Sequence, residues 1–201
     1  MLRIGVLASH EGTTLQCIID ACASSQINGR VVVVISNNGG SGALRRAAAS
    51  GSAALHMSAF THPDAASLDE AIRDALLQAG VQVVFLGGYM KRLGPRTLAA
   101  FQGRILNTHP ALLPKFGGQG MFGDRVFEAV LAAGELESGA SVHLVEAEYD
   151  TGAVLRQGRV SVFPGDCVKS LKARVQACER ELVVEILAAV ASGEVALATA
   201  G

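Results

Sequence analysis

An amide and an imidazole stand two residues apart at Asn107 and His109, closing the apolar run after Arg104. Side chains alternate faces along a β-strand, so a strand over 104–109 aims both groups at one point. Pro110 cannot donate to a sheet ladder and Pro114 stiffens the loop beyond it, which puts the pair at the strand's C-terminal end. In open α/β sheets ligands bind along that edge. An amide donor beside a proton-carrying imidazole suits a carbonyl oxygen that becomes an oxyanion. Alone, Asn107 would serve as a strand-end cap and His109 as a structural histidine; the shared face is what favours chemistry. The pair points to acyl or formyl transfer.

Four other groups carry two readings each. Ser9–Leu15 contains Gly12, Thr13 and Thr14 and joins the first expected strand to the first helix. Its free N–H groups can hold a phosphate, or it is a turn capped by threonine. It lacks GxGxxG spacing, and no ribose-binding acid comes after the second strand, so a dinucleotide site is not expected. Glu11 would repel a phosphate and is expected to face solvent. Asp150, in Glu148–Gly152, is a turn aspartate on spacing alone; beside His109 it would raise the imidazole pKa and support the charged acid. Gly87–Leu93 offers small and flexible side chains for a flat heteroaromatic ring, or simply covers the core. Glu179 sits off the apolar stripe of the last helix, where a solvated charge paired with Lys172 or Arg174 is the default.

The elements that position these groups alternate. Strands are expected over Leu2–Ala8, Arg30–Ser36, Ala53–Met57 and Val81–Leu86, and helices over 13–25, 39–51 and 64–79. This β-α-β-α-β-α-β rhythm predicts parallel strands with right-handed crossovers. After the 104–109 strand come a helix over Asp124–Ala133 and strands over Ser141–Ala147 and Ala153–Phe163. Pro164 and Gly165 make a turn, and Asp166 is placed to cap the last helix. That helix spaces Leu171, Val175, Cys178, Leu182, Ile186 and Ala189 at three to four residues, an apolar stripe toward the sheet. Residues Ala196–Gly201 are expected to fray. The fold class is α/β: a single doubly wound, mostly parallel sheet flanked by helices.

Composition narrows the function. The 201 residues suit one α/β domain, half are apolar, 23 are glycine, and tryptophan is absent. A formal charge of −1 and the lack of a basic stripe argue against nucleic acid. Leu2–Ala8 has no charged segment before it and runs into a polar loop, so neither a signal peptide nor a membrane span is expected. Cys17, Cys22, Cys167 and Cys178 show no CxxC pairing; buried thiols in a reducing cytoplasm are expected rather than disulfides or a metal site.

The motifs Asn107–Pro114, Ser141–His143 and Tyr149–Gly152 resemble the phosphoribosylglycinamide formyltransferase family, as do Val6–Ser9 with Gly12–Gln16, and Gly88–Met90. The resemblance runs in order along nearly the whole chain and implies that family's Rossmann-like fold. It implies a single domain, with residues 1–100 as the phosphate-binding half and 101–201 as the folate-binding and catalytic half. It implies transfer of a formyl group from 10-formyltetrahydrofolate, a cosubstrate, to the amine of 5'-phosphoribosylglycinamide in purine synthesis, without a metal. By position, Asn107 and His109 stabilise the oxyanion and His109 is the general acid, while Asp150 raises the pKa of His109 and helps move a proton. Gly12, Thr13, Thr14, Gln176 and Glu179 fall at nucleotide-binding positions. Met90, Lys91, Arg92, Leu93, Asn107, Glu146, Ala147, Glu148, Tyr149 and Asp150 fall at folate-binding positions. The implied partners are these small molecules, with a monomer or homodimer in the cytoplasm and neither nucleic acid nor membrane.

The chain also departs from the family pattern. His10 and Glu11 replace a common glycine and its variable neighbour, Thr14 a frequent asparagine, and Ala65 an arginine that contacts folate in some members. Lys115–Asp124 is long and glycine-rich, suited to closing over ligands. Rival readings are formyltetrahydrofolate hydrolase, whose members usually carry an extra N-terminal domain, a sugar-nucleotide formyltransferase, and a non-catalytic phosphoribosyl-ligand sensor. Methionyl-tRNA formyltransferase would need a further C-terminal domain and a basic surface.

Overall fold

In chain order the first elements are β1 (Leu2–Ala8), α1 (Thr13–Ala23), β2 (Gly29–Ser36), α2 (Gly42–Ala49), β3 (Ala53–His56), α3 (Ala65–Gln78), β4 (Val83–Leu86) and α4 (Pro95–Ala100). The remainder are β5 (Ile105–His109), α5 (Asp124–Ala132), β6 (Glu137–Leu144), β7 (Val154–Ser161) and α6 (Val168–Ser192). This computed structural model describes residues 1–198, so part of the expected frayed end, residues 199–201, lies outside the described residues. Ala198 still reaches the Gly103 carbonyl through its N–H at 3.4 Å. The seven strands form one sheet in the order β3-β2-β1-β4-β5-β6-β7, the mostly parallel α/β class expected. By packing the chain divides into two compact units, residues 1–106 with the segment from Leu187 onward, and residues 107–186.

In the first unit β1 pairs in parallel with both β2 and β4, and β2 with β3. β1 is therefore the strand from which the order runs both ways, and such a switch point opens a crevice at the strands' C-terminal ends. β4 is buried along its whole length, as its unbroken apolar sequence requires for a strand covered on both faces. Leu15, Ile18 and Leu76 complete that core from α1 and α3, each fully buried.

Local chemistry sets the helix starts. Asp64 caps α3 by accepting from the Ser67 N–H at 2.7 Å, and Ser41 caps α2 through the Leu44 N–H. α4 is not expected from sequence: it has six residues, too few for a readable period. Its N-terminus is satisfied by tertiary structure, since the Asp69 carboxylate on α3 accepts from the N–H groups of Arg96 at 2.8 Å and Thr97 at 3.0 Å.

In the second unit β6 and β7 are antiparallel. β6 begins at Glu137, four residues before the expected start, and ends at Leu144 rather than Ala147. Gly139 makes the early start feasible: a Cβ there would overlap the Gly158 carbonyl of β7, so the strands approach closely where sequence offers little β-propensity. The register slips between Val142 and His143, which pair with Arg156 and Val154. A bulge of this kind re-aims the neighbouring side chain.

Leu171, Val175 and Leu182 on α6 are buried as their spacing predicts. Asp166 is not the cap residue of this helix. Cys167 holds that position, its carbonyl accepting from Leu171 N–H, while Asp166 closes the preceding turn on Phe163 N–H and pairs with Arg174 at 2.9 Å. Cys167 is exposed, against the expectation of buried thiols, because the turn that carries it lies at the surface; Cys17, Cys22 and Cys178 are half-buried, and none of the four forms a disulfide among the described residues.

Candidate active site

Three of the residues singled out from sequence meet in the second unit. Asn107 and His109 leave the end of β5 on one face. Asp150 arrives from the β6–β7 connection with its nearer carboxylate oxygen, Oδ2, 3.4 Å from His109 Nδ1. Asp150 adopts a left-handed backbone, φ 57°, which aspartate tolerates better than most residues. Gly152, two residues on, is obligatory, since a Cβ would overlap the Leu144 carbonyl.

A fourth residue completes the cluster. His143, buried on β6, directs Nε2 to Asn107 Nδ2 at 3.2 Å and to Asp150 Oδ1 at 3.4 Å. Its Nδ1 lies 2.8 Å from the Leu144 carbonyl, which can only accept, so Nδ1 carries the proton. In the neutral ring Nε2 is then an acceptor and takes one N–H of Asn107. That fixes the amide's orientation and leaves its second N–H free to donate to a ligand oxygen. Sequence reasoning gives His143 no role of its own, although it belongs to the Ser141–His143 motif; the signal is its position at the end of an alternating strand.

The loop after Pro114 supplies backbone partners. His109 Nε2 donates to the Phe116 carbonyl at 2.7 Å, and the Gly118 N–H donates to Asp150 Oδ2 at 2.8 Å. With Nε2 committed to a carbonyl, the titrating proton of His109 is the one at Nδ1, facing Asp150. Burial pushes the His109 pKa down and outweighs the upward pulls of Asp150 and Phe116, so the net shift is below 6.5. The charged ring expected from sequence is thus not the resting form at neutral pH. Asp150 does pull His109 upward, but desolvation wins. For Asp150 burial is again the largest effect and would raise its pKa. The contact with His143, the hydrogen bond from the Gly118 N–H and the nearby imidazoles overcome it and lower the carboxyl below 3.8. A carboxylate thus stands beside a neutral imidazole, ready to draw a proton onto Nδ1.

In the first unit, Gly12 rather than a threonine is the residue at the start of α1. It has φ 70° and makes no side-chain cap, so its own side chain leaves the first N–H groups of α1 open. A Cβ at Gly12 would meet the Ala43 Cα at 2.8 Å. Glu11 is exposed and lies 3.5 Å from Arg45, turned to solvent as expected. Ser9 ties this turn to its neighbours: its hydroxyl donates to Asn37 Oδ1 at 2.5 Å and accepts from the Met90 N–H at 2.8 Å. Neither Ser9 nor Asn37 is readable from sequence as a tie. In the Gly87–Leu93 loop, Met90 is half exposed, Lys91 and Arg92 are exposed, and Leu93 is buried.

On α6 of the second unit, Gln176 is exposed, whereas Glu179 is partly buried and accepts the Thr108 hydroxyl at 2.6 Å. The default pairing of Glu179 does not occur: Lys172 bonds Asp124 and Arg174 bonds Asp166. Burial raises the Glu179 pKa. Glu146, Ala147, Glu148 and Tyr149 form an exposed run leading into Asp150.

An amide donor, a buried imidazole and a carboxylate around one point, at the end of a strand in a doubly wound sheet, define a site for acyl-type transfer. The formyl transferase family matches residues 2–187, and the chain belongs to that family. It is 36% identical over 185 residues to the phosphoribosylglycinamide formyltransferase of Haemophilus influenzae, covering 90% of this chain and 84% of that one. To the chloroplastic phosphoribosylglycinamide formyltransferase of Arabidopsis thaliana it is 36% identical over 189 residues, 94% of this chain but 65% of the plant protein's length. The crystal structure of glycinamide ribonucleotide transformylase 1 from Symbiobacterium toebii superposes with a TM-score of 0.90 at 38% identity, over 100% of this chain and 92% of that one. Among the described residues, no helix is long and apolar enough to cross a membrane.

Proposed function

We propose that this chain transfers the formyl group of 10-formyltetrahydrofolate to the amine of 5'-phosphoribosylglycinamide, as the names of its relatives suggest. The observation that carries the reading is the cluster of Asn107, His109, His143 and Asp150, linked by contacts of 3.2 and 3.4 Å. The glycinamide nitrogen attacks the formyl carbon, and the carbonyl electron pair moves onto oxygen. The free N–H of Asn107 donates to that oxyanion, and His109 stabilises it once a proton drawn from the attacking nitrogen by Asp150 has reached Nδ1. Collapse re-forms the carbonyl and breaks the bond to the folate nitrogen, which leaves with the electron pair and takes up that proton from His109. Fixing a poor nucleophile against a sluggish formamide removes several kcal/mol of barrier by positioning alone.

Binding divides along the chain. The open N–H groups of α1, with Gly12, Thr13 and Thr14, hold the nucleotide's phosphate against the positive end of the helix dipole. Gln176 and Glu179 take the rest of the nucleotide, and residues 90–93 and 146–150 the folate. A carboxylate accepts only, so Glu179 engages O–H or N–H donors and not the phosphate. The test is turnover with 10-formyltetrahydrofolate and a panel of acceptors. Formylation of phosphoribosylglycinamide supports the reading. Release of formate into water alone would make the chain a hydrolase, formylation of an amino-sugar nucleotide would move the acceptor, and binding without turnover would make it a sensor.

A further inference from the structure

Strand alternation turns Thr108 away from Asn107 and His109, toward the face on which its hydroxyl meets Glu179 of α6 at 2.6 Å. A threonine on a strand is stiff at χ1, so this hydroxyl is a fixed handle for a longer and more mobile carboxylate side chain. The two cations that spacing offered it are engaged elsewhere, since Lys172 lies 2.6 Å from Asp124 and Arg174 lies 2.9 Å from Asp166. Among the described residues nothing hydrogen-bonds the second oxygen, Oε2. We infer that Thr108 is a positioning residue for the nucleotide: by occupying Oε1 it holds Glu179 in one rotamer, with Oε2 presented to a hydroxyl or amine donor of the acceptor substrate. The inference rests on the reading of Glu179 as a nucleotide contact. The Thr108 hydroxyl also opposes the effect of burial on this carboxyl. Burial raises its pKa, while the Thr108 hydroxyl and then the Arg180 guanidinium lower it; Cys178, the neighbouring thiol, is itself pushed up by burial.

The experiment compares Thr108→Val, which keeps the shape and loses the hydroxyl, with Thr108→Ser, which restores it. Each is made alone and in a Glu179→Gln background. Thr108→Val should raise KM for phosphoribosylglycinamide about tenfold or more, the scale of one hydrogen bond to a charged acceptor. It should leave kcat and the folate KM within about twofold, and Thr108→Ser should recover most of the loss. The acid limb of the nucleotide KM profile should move to higher pH in Thr108→Val, because the charged carboxylate has lost a donor. In the Glu179→Gln background the valine should cost no more than about twofold, since the residue acts through Glu179. Additive losses, or equal changes in kcat and both KM values, would overturn the inference. If Glu179→Gln raises the nucleotide KM while Thr108→Val does not, the positioning role alone falls. If Glu179→Gln leaves the nucleotide KM unchanged, the nucleotide reading of Glu179 falls and takes this inference with it.

Discussion

Gly12 and Asp150 each place a left-handed residue beside a candidate binding point, and they do so for opposite reasons. At Gly12, φ 70°, the side chain is absent, and what the turn offers is backbone N–H. At Asp150, φ 57°, the side chain is the product, a carboxylate set 3.4 Å from two imidazoles. A backbone site is specified by what cannot be added to it. A side-chain site is specified by which atoms are present and by the hydrogen bonds that hold them. The first should therefore fail through bulk and charge, with effects on binding. The second should fail through loss of single functional groups, with effects on rate.

The largest expected effect falls on the side-chain site. Asn107→Ala removes the free N–H that His143 orients, and kcat should fall by about 10²–10³, the usual scale for one oxyanion donor. Far-ultraviolet circular dichroism should show the fold intact. A folded variant that keeps most of its activity would take Asn107 out of the chemistry.

At the backbone site the effect should be smaller and of another kind. Thr13→Asp sets a charge against the bound phosphate and should raise KM for the nucleotide about tenfold, with the folate KM nearly unchanged. Matching losses for both substrates would indicate misfolding, and an unchanged nucleotide KM would move the phosphate elsewhere. Smaller again is Gly12→Ala. Its left-handed backbone costs a residue with a Cβ about 1–2 kcal/mol, with a further penalty from the Ala43 contact, and urea unfolding should register the loss. Full stability in that variant would mean that the turn relaxes and that its geometry is not what makes glycine necessary.

The contrast also explains what is legible in the sequence. β1, β2 and β4 are legible because strands covered on both faces must be apolar throughout, and Asn107 with His109 because alternation puts residues two apart on one face. α4 is not legible, since its N-terminal donors are satisfied by Asp69, a residue 27 positions away from Arg96. The first half of β6 is made by close approach at Gly139, which sequence shows only as small residues. Asp150 is a candidate on sequence whose contact with His109 depends on the fold. Phe116 and Gly118 act through backbone groups of a kind nearly every residue possesses, so no reading of side chains finds them. Sequence misjudges the net direction of the His109 pKa because burial is a property of the packed chain, and here it outweighs the Asp150 charge.

In the mechanism we propose, the Asp150 carboxylate draws the reactive proton onto Nδ1 of a buried His109 that rests neutral. NMR titration of the His109 ring in the wild-type protein and in Asp150→Asn tests it most directly, with the kcat pH profile measured alongside. The wild-type pKa should lie below 6.5, because burial outweighs Asp150. In Asp150→Asn the upward pull of the carboxylate is gone, so the ring should titrate lower still, less acid form should survive at neutral pH, and relative activity should improve as pH falls. A His109 pKa that is unchanged or raised by the substitution would contradict the account.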